Sequence, residues 1–269
     1  MFAAYLHTLR ESVHRRMALV LIGMAILVAY LIFHLITLKP LPTGDPMLFM
    51  GRLALGPASL AGPAVMAQEV KITGGLWLFL AIFASSPLLV AALEKGWVEL
   101  TLTKGVPRWR VLMGAYFGGL TLYAVTLGMA TLPTAVWLWA KAGVAIYPLI
   151  AAIGLQVFGF AALMALAALV CTTRTGIALP IIVAVVVDFL SPVLANRDKT
   201  LFLFFTSDWV RGIFNWIYRI LPKNSEIVSV SESYLQYHKF GDSWPFWSTG
   251  VFIVVTLALT MWLLHRKSL

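Results

Sequence analysis

MALVLIGMAILVAYLIFHLIT, residues 17 to 37, contains no Asp, Glu, Lys or Arg. At 1.5 Å per residue a helix of this length measures about 30 Å, the thickness of a bilayer's hydrocarbon core. Five further apolar blocks follow, near 75 to 93, 111 to 140, 148 to 171, 177 to 195 and 247 to 264. They are uniformly apolar rather than alternating, so they read as helices and not as barrel strands. With 61% hydrophobic and only 12% charged residues, the chain falls outside the range of soluble domains. The sequence therefore predicts an all-α membrane protein with six transmembrane helices, one domain over residues 1 to 269. The third block contains Pro133, where the helix can bend.

The short polar segments set the expected orientation. Arg10, Arg15 and Arg16 precede span one; Lys95, Lys104, Arg108 and Arg110 follow span two; Arg174 follows span four; Arg266 and Lys267 close the chain. These segments hold half of the 20 basic residues, so both termini are expected in the cytoplasm. Ordinary topology and anionic lipid headgroups account for the net charge of +9 without any nucleic acid. The first apolar run is too long for a cleaved signal peptide and reads as a permanent span. Cys171 is the single cysteine, which excludes an intrachain disulfide and reads as a small buried side chain.

Between the spans, residues 2 to 14 place Phe2, Tyr5, Leu6, Leu9 and Val13 on one helical face, an interfacial amphipathic helix. The Gly- and Pro-rich stretch 38 to 72 is expected to form turns and short pieces outside the membrane. The loop 94 to 110 mixes charges with Trp97, Val98, Leu100, Leu102 and Trp109. Two readings fit it: a docking surface, or a basic loop with tryptophans at the membrane interface. Residues 201 to 221 carry Asp208, Arg211, Asn215 and Arg219 at helical spacing, so an interfacial or re-entrant helix is expected there rather than a seventh span. Asp188 is read as the only acid well inside a span, either a functional group or a structural hydrogen-bonding partner; Gln156 and His34 are weaker candidates. Gly114 with Gly118, and Gly154 with Gly159, suggest close helix packing.

The run from Leu93 to Gly119, LEKGWVELTLTKGVPRWRVLMGAYFGG, resembles the region of bacterial ABC exporter permeases where an acid and Gly lead into a short apolar helix, then Pro and Arg, then a span. The resemblance extends to the amphipathic N-terminal segment, six spans, a very short fourth-to-fifth loop, the Leu221-Pro222 step and the basic tail. It implies that residues 94 to 106 form a coupling helix docking on a separate cytoplasmic ABC ATPase, through Glu94, Lys95, Gly96, Trp97, Val98, Glu99, Leu100 and Lys104. It also implies that residues 2 to 14 are a connecting helix and that 201 to 221 cap the route on the outer face. A second permease protomer, identical or related, would pair with this one in the bacterial inner membrane. Ser85, Ser86, Asp188 and Ser191 would then lie near a route between protomers lined chiefly by spans two and five. Thr101 and Thr103 depart from the more apolar residues common in the family.

The chain contains no Gly-Lys pair, so it has no phosphate-binding P-loop. ATP and Mg would belong to the partner subunit, and no catalytic residue, cofactor or metal site is expected on this chain. An intramembrane enzyme is disfavoured because no H-E-x-x-H, no G-x-S-x-G and no paired intramembrane His or Asp occurs. An ion-coupled carrier would want several buried charges near the midplane and an internal repeat, whereas one acid and no repeat are read. The substrate is not legible in the sequence.

Overall fold

The computed structural model describes residues 5–6, 10, 12, 16–40, 45–93, 107–173, 176–205 and 207–267. Six of its helices are long and apolar enough to cross a membrane: α1 (Met17–Leu35), α2 (Ala58–Ala91), α3 (Arg108–Ala142), α4 (Tyr147–Cys171), α5 (Ala178–Ala195) and α9 (Trp244–Lys267). The protein is a helical membrane protein. Large apolar side chains such as Val20, Ile26, Phe189 and Val254 stay exposed on these helices. Such a surface is stable when lipid or another protein covers it.

The core lies where α2, α3 and α4 meet. Trp77, Tyr123, Phe160 and Leu163 are fully buried there, with the rings of Tyr123 and Phe160 stacked at 4.5 Å. Two tyrosines of α3 satisfy their hydroxyls on neighbouring backbones: Tyr116 donates to the Ala161 carbonyl (3.0 Å) and Tyr123 to the Gly74 carbonyl (3.3 Å). Thr126 and Thr131 return their hydroxyls to carbonyls one turn back, so α3 buries them without orphaned donors. The helix runs unbroken through Pro133.

The segment between the first two spans differs from the expected turns. Three short strands, β1 (Ile36–Lys39), β2 (Met47–Met50) and β3 (Leu53–Pro57), form an antiparallel sheet in the order β1-β2-β3. It buries Ile36 and Leu48 against the bundle end, so the all-α expectation misses a small β element. From Ala58 the chain is already helical, 17 residues before the expected start at 75. Gly62 and Pro63 therefore sit inside α2. A buried stripe of Ala58, Gly62, Met66, Glu69, Val70, Thr73 and Trp77 recurs every three or four residues, and its packing outweighs the helix-breaking tendency of the Gly-Pro pair.

After α5 the single helix expected over 201 to 221 is broken. A short α6 (Leu201–Phe204) is followed by α7 (Asp208–Ile220), a turn, and a further helix, α8 (Asn224–Tyr237). Arg211 braces the break by donating to the carbonyls of Phe205 (2.9 Å) and Phe202 (3.0 Å). The outer stripe of α7 leaves Trp209 and Trp216 exposed, whereas α8 packs among α2, α4, α5 and α9 and buries Ile227, Val230 and Leu235.

Candidate functional site

The sequence of α8 explains why its first turn needs help. Its N-cap position is Lys223, whose side chain makes no cap, so the first amides must find acceptors elsewhere. α5 supplies them. Asp188 and Ser191, three residues apart, share one face of α5. Ser191 Oγ accepts from the Ser225 amide (2.9 Å), and Asp188 Oδ1 accepts from Asn224 Nδ2 (3.1 Å). An acidic side chain at a helix N-terminus also complements the helix dipole. α9 adds Thr249 Oγ1, which accepts from the Lys223 amide (3.1 Å).

This turn lies deep. Asn224 Oδ1 approaches Gly159, where an added Cβ would stand 3.3 Å away, and Gly159 is the central residue of α4. Twelve residues from Tyr147 to Gly159 place the contact about 18 Å below the end of α4. The other end of α8 returns to that end of the bundle, where Leu235 packs with Ala58, Leu138 and Leu149. Lys71 on α2 pairs with Glu232 on α8 at 3.1 Å and ties the two helices on the outside.

On the α7 side of the turn a second network holds the chain. Lys223 Nζ donates to the Tyr218 carbonyl (3.0 Å) and to Ser248 Oγ (2.9 Å), and it sits 4.2 Å over the Tyr218 ring. Arg197 stacks on the same ring at 3.9 Å and donates from Nε to Asn215 Oδ1 (2.7 Å). Tyr218 hydroxyl donates to Glu226.

Of the residues singled out in the sequence, Asp188 and Ser191 are brought together here. Ser85 and Ser86 are not: both are fully buried on α2, and Ser85 abuts Gly119 of α3. His34 is at the end of α1, its Nδ1 3.1 Å from the Tyr30 carbonyl. Gln156 is buried and packs its amide against Gly74, where a Cβ would lie 3.0 Å from Cδ. Gly159 is a close-approach glycine as expected, but Gly154 is not, since nothing lies within 4 Å of an added Cβ. The proposed docking residues Glu94, Lys95, Gly96, Trp97, Val98, Glu99, Leu100 and Lys104 lie outside the described residues. Of residues 2 to 14, Tyr5, Leu6, Arg10 and Ser12 are described; all four have helical backbone, and Tyr5 donates to Thr121 Oγ1 of α3 (3.2 Å).

A second acid inside a span corrects the reading of Asp188 as the only one. Glu69 lies inside α2 and is 6% exposed. Its Oε1 accepts from Thr134 Oγ1 (3.0 Å), while Oε2 is buried with no hydrogen-bond partner among the described residues. Treating residues 38 to 72 as a loop hid it. The signal that reveals it is the four-residue spacing of Gly62, Met66, Val70, Gly74 and Leu78, which continues span two backwards past Glu69. Among the described residues no three His, Cys, Asp or Glu side chains gather as a metal site. No protein-family model matches the chain, and no curated protein matches it either.

Proposed function

We propose that the chain is the permease subunit of an ATP-driven ABC exporter, hydrolysing no ATP itself and working as a pair of protomers in the bacterial inner membrane. The observation that carries this reading is the α7–α8 pair between the fifth and sixth spans. Its Leu221-Pro222 turn enters the bundle to the middle of α4 and is anchored by Asp188 and Ser191 of α5. With both termini cytoplasmic, this pair is re-entrant from the outer face, and α5 links it mechanically to the opposite side of the membrane.

In this reading the loop 94 to 106 is the handle gripped by the ATPase. A rigid piece joined to α2 and α3 converts closure of the ATPase pair into tilting of those helices. α2 packs directly against α8, with the Lys71–Glu232 pair across the contact, so a tilt of α2 reaches the outer hairpin without any further element. The absence of a Gly-Lys pair agrees with ATP and Mg being held by another polypeptide.

The test is whether a soluble P-loop ATPase from the same operon co-purifies with the chain. A complex whose ATPase is lost on charge reversal at Glu94, Lys95 or Glu99 is expected; no association, or activity indifferent to those changes, removes the proposal. A cation-coupled carrier is the second reading, and Glu69 favours it, because the spans hold a buried acid in addition to the half-buried Asp188. It predicts uptake or efflux driven by an ion gradient in vesicles without ATP, abolished by Glu69→Gln.

A further inference from the structure

A groove of about 690 Å³ runs between α1 and α2 and is closed at one end by the sheet. Its volume lies within the range of about 300 to 1,000 Å³ usual for sites that hold a small molecule. The walls are mostly apolar, with Leu31 and Leu35 on α1, Met50 and Leu55 from the sheet, and Leu60 and Ile72 on α2, and Gln68 on α2 adds one exposed amide. Several of these are half-exposed or more, so in a membrane the mouth of the groove opens on lipid.

One face of α2 breaks the apolar lining. Glu69, Thr73 and Trp77 follow one another at a spacing of four and so lie along one line of the groove wall. Glu69 Oε1 is held by Thr134, but Oε2 is buried and unpaired, and the Trp77 indole Nε1 is likewise buried without a partner among the described residues. A buried polar atom left unsatisfied costs about 1 to 3 kcal/mol, and a ligand that supplies the missing partner recovers that cost. The companion groove between α1 and α3 is comparable in size, about 880 Å³, and its lining of residues such as Ile26, Val125, Leu132, Val136 and Trp137 holds no acid.

We infer that the α1–α2 groove is a binding site for a membrane amphiphile: an apolar chain lies along α1 and α2, and a polar group bearing an N–H or O–H donor hydrogen-bonds to Glu69. The chain enters sideways from the bilayer. The acid selects the polar group, and the apolar walls, which contact any hydrocarbon alike, do not. The inference needs only the bundle and is independent of the transport reading.

Three photoreactive probes of one chain length test it: diazirine-tagged hexadecylamine, hexadecanol and methyl hexadecanoate, applied to the full-length chain in lipid nanodiscs. The amine and alcohol are expected to label the α1–α2 groove about tenfold more than the ester at equal concentration, the worth of one hydrogen bond to an acid. All three are expected to label the α1–α3 groove alike. Glu69→Gln should cut labelling by the amine towards that of the ester. Ala64→Trp, which fills the groove from its wall while keeping the acid, should suppress labelling by all three there and leave the α1–α3 groove unchanged. Equal labelling of the α1–α2 groove by ester and amine, or amine labelling indifferent to Glu69→Gln, overturns the inference and leaves an unselective lipid-filled crevice. Because the assay contains neither ATPase nor nucleotide, its failure is separable from failure of the transporter proposal.

Discussion

Replacing Ser191 by Ala removes the acceptor that α5 lends to the first turn of α8. The Ser225 amide then loses its 2.9 Å partner beside Asn224, which is 4% exposed, so water does not readily take the place of the hydroxyl. Loss of an N-cap oxygen costs typically about 1 kcal/mol, and leaving a buried donor unpaired costs about 1 to 3 kcal/mol. These describe one and the same bond, so about 1 to 2 kcal/mol is expected, a factor of roughly 5 to 30 in the local opening equilibrium. Hydrogen exchange of peptides covering 221 to 237 should quicken by that factor in Ser191→Ala, while peptides from α4 keep wild-type rates. Asp188→Leu should act similarly. Asp188→Asn keeps an oxygen acceptor for Asn224 and forfeits only the dipole contribution of about 0.3 to 1 kcal/mol, so its effect should be smaller. Exchange unchanged in Ser191→Ala, or accelerated equally in α4, would refute the claim that α5 caps α8.

Close packing gives a paired expectation. An added Cβ at Gly119 would lie 2.7 Å from Met164 Cε and 3.1 Å from Ser85 Cβ, whereas at Gly154 it meets nothing within 4 Å. Gly119→Ala should therefore lower thermal stability, by about 1 to 3 kcal/mol, and Gly154→Ala should leave it unchanged or raise it slightly. Equal effects would show that the α2–α3–α4 contact is looser than described. On the transporter proposal, Asp188→Asn should depress transport while the complex is still recovered intact, and unimpaired transport would assign Asp188 to packing alone.

The six long helices were legible because lipid imposes one rule on every span, an apolar run of sufficient length. The sheet was not, since strands of four and five residues are too short to display a period, and Gly51, Gly56 and the neighbouring prolines read as punctuation. The same punctuation concealed the first half of α2 and with it Glu69. There, contacts with distant helices decide the conformation, and these have no local signature. Asp188 and Ser191 could be named from the sequence as polar groups in an apolar span, yet their partner could not, because α8 is a polar helix whose burial follows from the inward turn at Leu221–Lys223. Its sequence, NSEIVSVSESYLQY, shows only an ordinary amphipathic pattern.

Accessibility of residue 104 bears most directly on the central claim that the segment between α2 and α3 is a cytoplasmic handle for an ATPase. A single cysteine placed by Lys104→Cys in a Cys171→Ala background should react with a membrane-impermeant maleimide in inverted vesicles and not in right-side-out vesicles, and bound ATPase should protect it. Reaction from the outer side alone would reverse the topology, and the transporter proposal would fall with it.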